Sequence, residues 1–93
     1  MPRYLIERRF SIGEDQMPEV GRRSRRIATD HFPEIVWEHS HVVVDESGIV
    51  KSFCVYEAPS EEEVRRHGEQ LGQHDIVSVY ELAGDVTPDD FPL

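Results

Sequence analysis

Residues 34–57 read EIVWEHSHVVVDESGIVKSFCVYE, two runs of branched and aromatic residues on either side of Asp45-Glu46-Ser47-Gly48. Val, Ile, Trp, Phe and Tyr are the side chains that fit a pleated, half-buried surface. Asp in first place and Gly in fourth suit a type I turn. The stretch is therefore a β-hairpin, with strands over 34–44 and 49–57. Its turn decides which side chains share a face. A two-residue loop, Glu46-Ser47, would set Cys54 opposite His39 and Tyr56 opposite Trp37. A three-residue loop, with Gly48 as a bulge residue after the turn, would set Cys54 opposite Ser40 and bring Glu57 to the face of His39 and His41. A one-residue slip exchanges the two faces. Asp-Glu-Ser-Gly favours the bulged form.

Outward from the hairpin, Pro59 ends the second strand and Ser60-Glu61-Glu62-Glu63 forms a capping box, with Ser at the cap and Glu three residues on. A helix over 61–71 follows, with Val64, His67 and Leu71 on one stripe, and Gly72 closes it. Residues 75–82 (DIVSVYEL) are a last strand and 83–93 a tail. On the N-terminal side, 3–10 (RYLIERRF) reads as a strand and 11–17 as a loop. Pro18 and Glu19 open a helix over 18–30, which Pro33 ends. Val20, Ser24, Ile27 and His31 fall on one side of that helix, and Arg22, Arg23, Arg25 and Arg26 on the other. The order β-α-β-β-α-β is that of a ferredoxin-like α+β domain, a four-stranded antiparallel sheet with both helices on one face. We read residues 1–93 as one such domain, with its core over about 2–82.

Composition narrows the partners. The chain has 93 residues and a formal net charge of −9, from 19 acidic and 10 basic residues. A domain this small buries limited surface, so a second copy is expected to cover the bare sheet face. An acidic chain repels phosphate backbones, which argues against nucleic acid despite the arginine-rich helix. There is no signal-peptide pattern and no run of about 20 apolar residues, so no membrane partner is expected. The single cysteine, Cys54, fits a reducing compartment. A cytoplasmic protein is expected.

His39 and His41 carry the sharpest chemical signal. Residues i and i+2 of a strand share a face, about 6.6 Å apart along it. Two imidazoles at that spacing can converge on nickel, zinc or copper. The bland alternative is two solvated or hydrogen-bonded strand histidines. Glu57 and Cys54 are the further candidate metal ligands, on one register or the other, and a partner chain is another source. Cys54 alone reads as a small buried hydrophobe. His67 on its apolar stripe reads as a core histidine bonded to the sheet or to Tyr56; Tyr56 and His67 are also the candidates for lining a ligand pocket. His31 and His74 lie near element ends and are expected to be solvated. No phosphate-binding glycine loop, HExxH, nucleophile elbow or matched acid–base pair is present, so no catalytic residue is assigned.

MPRYLIERRF at the start, VWEHSHVVVDESGIVKSFCVYEAPSEEEVRRHGEQLG in the middle and DIVSVYEL near the end resemble a family of small bacterial proteins of unknown function that includes a nickel-binding member. The most specific part is FCVYEAPSEEEVRRHGEQLG. Trp37, Ser40, Cys54, Tyr56, Glu57, Ala58, Pro59 and His67 match the family's pattern, whereas His41 stands where an aromatic is common. The resemblance implies a ferredoxin-like dimer. It adds to the reading of a nickel-binding protein that sequesters or handles the ion rather than acting as an enzyme. The alternative is a dimeric α+β barrel that binds a small molecule, or acts on one, in a pocket near Tyr56 and His67. A third reading is an interaction module whose basic helix meets an acidic partner.

Overall fold

The computed structural model describes residues 1–93. Strands β1 (Arg3–Phe10), β2 (Val36–Val44), β3 (Val50–Glu57) and β4 (His74–Glu81) and helices α1 (Met17–His31) and α2 (Glu61–Leu71) follow one another in the order β1-α1-β2-β3-α2-β4. The four strands form one sheet in the spatial order β2-β3-β1-β4, antiparallel throughout. This is the ferredoxin-like arrangement, with β3 and β1 central and β2 and β4 at the edges. Single 3-10 turns lie at Glu14–Gln16, just before α1, and at Pro88–Asp90.

The alternation of β1 fixes what the helices cover. Tyr4, Ile6, Arg8 and Phe10 are buried, and Arg3, Leu5, Glu7 and Arg9 point to the other face. On β3 the helix-side residues are Val50, Ser52, Cys54 and Tyr56. Two apolar clusters fill the space beneath the helices. One joins Tyr4, Ile6, Cys54, Tyr56 and Val64 with Phe32 and Ile35, beyond the end of α1. The other joins Phe10, Val20, Val50 and Leu71.

The hairpin turn takes the bulged form. Gly48 has φ +83° and its N–H donates to the Asp45 carbonyl at 2.9 Å, while the Asp45 N–H donates to the Ile49 carbonyl at 2.9 Å. The Asp45 carboxylate accepts from the N–H groups of Ser47 and Ile49, at 2.9 and 3.0 Å. These bonds, Ile49 first, hold the carboxyl below its ordinary pKa. The resulting register sets Ser40 against Cys54, His41 against Phe53 and Val44 against Val50. Ser60 caps α2 as its sequence pattern implies, accepting from the Glu63 N–H at 3.3 Å.

Beyond Ser40 the register shifts. Between Trp37 and His39 the ladder has a β-bulge at Glu38, so Trp37 faces Tyr56 and Val36 faces Glu57. The bulge lets Trp37 and Ser40, three residues apart, share the helix-side face, where the Trp37 indole N–H donates to the Ser40 hydroxyl at 2.9 Å. It also turns Glu38 towards the opposite face, where Arg3 grips it.

Candidate functional site

The far face of the sheet carries the histidine pair. His39 lies opposite Val55 and His41 opposite Phe53, both on the side away from the helices. Their ring centroids are 5.4 Å apart with the planes at 76°. Both residues are exposed. That separation suits two ring nitrogens each about 2 Å from one shared ion. Within one chain, no group of three or more His, Cys, Asp or Glu side chains gathers around a common point. A metal held by the pair would need donors from elsewhere.

The carboxylates nearby are arranged by the bulge. Glu38 is held in a two-pronged bond by Arg3, whose Nε and Nη2 donate to it at 2.7 and 3.0 Å; Nη1 of the same arginine donates to Asp85 at 2.9 Å. The Arg3 hydrogen bonds lower the Glu38 pKa, and His39 is close enough to add to the effect. Glu57 shares the histidines' face but pairs with Val36 and Arg3, at the far end of the bulge from His41. Adjacent residues of a strand normally point to opposite faces, so alternation alone puts Glu38 on the wrong side. Only the bulge brings it round to His39.

Cys54 does not join the histidines. It is buried on the helix side, with its thiol 3.3 Å from the Ser52 hydroxyl. A full sheet thickness therefore lies between its sulfur and the two imidazoles.

His67 is a core residue that staples α2 to α1. It is 1% exposed, and its Nε2 donates to the Ser24 carbonyl at 3.1 Å. The rings of Phe32 and Tyr56 pack against it at 6.0 and 5.9 Å. The sequence reading looked for a bond to the sheet or to Tyr56, but the partner is the other helix. Burial lowers the pKa of His67 and keeps it neutral, with the Ser24 bond opposing. Tyr56 borders two cavities, of about 580 and 210 Å³, between α1 and the β2 edge, and His67 lines neither.

His74, expected to be solvated, is instead half-buried. Its Nδ1 donates to the Gly72 carbonyl at 2.8 Å, leaving Nε2 to accept from Arg8 at 3.3 Å. The basic face of α1 is also only partly solvated. Arg22 pairs with Glu19, while Arg23 reaches the Leu71 carbonyl at the end of α2, at 3.1 Å, and Gln73, at 2.6 Å. A cation at a helix C-terminus is favourably placed. No helix is long and apolar enough to cross a membrane.

The crystal structure of SCO4226 from Streptomyces coelicolor A3(2) matches with a TM-score of 0.66 at 23% identity, covering 90% of this chain and 99% of that one. At that identity the match speaks for the fold. No curated protein matches significantly. The family model for "Nickel responsive protein SCO4226-like" matches residues 4–82. That span takes in all four strands and both helices, and the chain belongs to the SCO4226-like family of nickel responsive proteins.

Proposed function

We propose that this protein binds nickel through His39 and His41 as a homodimer, and that it sequesters or hands on the ion rather than catalysing a reaction. The observation that carries the reading is the pair itself, with two exposed imidazoles 5.4 Å apart on an uncovered sheet face. Family membership supports nickel as the ion. Two nitrogens leave most of a nickel coordination sphere unfilled, since first-row metals of this kind take four to six donors. A second copy facing the first would bring another pair. Glu38 and Glu57 stand on the same face as carboxylate donors.

The far face also suits a partner. Leu5, Phe53 and Val55 line its centre, with Tyr80 and Val43 beside them, and Tyr80 is 63% exposed. Charged Arg3, Arg9 and Lys51 lie at the two ends of that strip, and Glu7 stands beside Phe53 within it. An apolar centre inside a polar rim is the usual anatomy of a protein interface.

The test is calorimetric titration of the purified protein with nickel, alongside the His39→Ala/His41→Ala double variant. The expected result is saturable binding by the wild type, lost in the double variant. Equal binding by both would remove these residues from the site.

A further inference from the structure

Arg8 is the most unusual residue in the core. It is 1% exposed, in the middle of the central strand β1, on the face the helices cover. A guanidinium stays charged in any protein environment, and a buried charge is costly unless paired. No carboxylate pairs with this one. Its Nη1 meets His74 at 3.3 Å and its Cζ stands 5.4 Å from the centroid of the Tyr56 ring. Its Nε and Nη2 donors are buried and have no hydrogen-bond partner. These are the two donors that, side by side, grip the oxygens of a carboxylate.

A cavity of about 210 Å³ has Arg8 in its lining, and the two free donors lie just behind that lining, so a ligand reaches them when a lining side chain turns aside. Ser24, Ser52, Cys54 and Tyr56 line it near the arginine, and Met17, Val20 and Leu71 give it an apolar wall. Its mouth lies between α1 and β2, at Gly21, Trp37 and Val42, where Trp37 and Val42 are exposed. An apolar cavity of about 150 Å³ accepts a benzene ring, so this one has room for a ring with a carboxylate.

We propose that the cavity between α1 and the sheet is a binding site for a small apolar monocarboxylate, whose carboxylate takes the two free donors of Arg8. The hydroxyls of Ser24, Ser52 and Tyr56 supply neutral partners, and the apolar wall takes the rest of the ligand. A large or multiply charged anion does not fit, because the volume is small and Arg8 is its only cation. The site lies on the opposite side of the sheet from His39 and His41 and does not depend on nickel.

Benzoate and its uncharged isostere benzamide are the probes, titrated against the full chain by calorimetry and by amide NMR shifts. Benzoate is expected to bind at least ten-fold more tightly than benzamide, shifting the amides of α1 and β3. Arg8→Met should abolish that preference. This variant is expected to fold, because an apolar side chain in place of an unpaired buried charge is commonly neutral or stabilising. Gly21→Leu should block both ligands by filling the mouth. A Cβ there meets nothing within 4 Å, and the change raises helix propensity. The proposal is overturned by equal affinity for the two probes, by no benzoate binding, by unchanged preference in Arg8→Met, or by benzoate binding that survives Gly21→Leu.

Discussion

Acidification should destabilise this protein through two histidines, and the direction of the effect follows from their surroundings. His67 and His74 are held neutral chiefly by burial, with Arg8 adding repulsion to both. Their folded pKa values lie below the ordinary 6.5, so the unfolded chain takes up these protons first. Stability is then constant above that value and falls as pH drops through it, until the folded form is itself protonated. Each proton bound only by the unfolded chain contributes a slope of about 1.4 kcal/mol per pH unit. At pH 5.5, about one unit below 6.5, His67 can therefore cost at most about 1.4 kcal/mol, and His74, nearly half exposed and screened by solvent, less. Such a loss is a large share of the ~5–15 kcal/mol that holds most domains together. Glu38 and Asp45, whose pKa values are lowered from 4.5 and 3.8, lose their contributions only at more acid pH. The assay is urea unfolding by circular dichroism at half-unit steps from pH 7.5 to 5.5, on wild type and His67→Gln. Gln keeps a donor for the Ser24 carbonyl but has no proton to gain. The variant should show a shallower slope than the wild type. An identical slope, or a wild-type stability that rises on acidification, would refute the claim that His67 is buried neutral.

Three further outcomes follow from the packing. Ile6→Ala removes a fully buried side chain from the centre of the larger cluster and should cost about 2–5 kcal/mol in denaturant unfolding. Gly72 sits at φ 69°, ψ −174°, a region closed to side chains, so Gly72→Ala should cost about 1–3 kcal/mol with the two-state transition retained. Buried Cys54 should react with a thiol reagent only as fast as the chain opens, and added nickel should not protect it beyond any general stabilisation, because His39 and His41, the proposed ligands, are on the other face.

Much of the molecule was legible because local chemistry and global fold agree in it. The Asp45–Gly48 turn carries its own geometry in its residues, and it set the hairpin register that separates Cys54 from the histidines. The Ser60 cap marked where α2 begins, although Glu63 does not return the second bond of a capping box, and the stripe of Val64, His67 and Leu71 showed which side is buried. Other features depend on tertiary context. The bulge at Glu38 has no glycine or proline to mark it, so alternation points to Glu57 rather than Glu38 on the histidines' face. Alternation along β1 did carry a signal for Arg8, since it falls in step with Tyr4, Ile6 and Phe10. The partner of His67 was not readable, because it is 43 residues away on the other helix and the two helices had first to pack together. The end of a strand is usually wet, but Phe10 packs on the ring of His74, a contact that only the folded sheet brings about.

The central claim is that nickel sits on His39 and His41, away from Cys54. X-ray absorption at the nickel edge, on the metal-loaded wild type and on His39→Ala/His41→Ala, reads the donors directly. The account expects imidazole scattering in the wild type, no sulfur donor, and loss of the imidazole signal in the double variant. A sulfur neighbour about 2.3 Å from the metal, like that of a zinc thiolate, or an unchanged spectrum in the double variant, would contradict it.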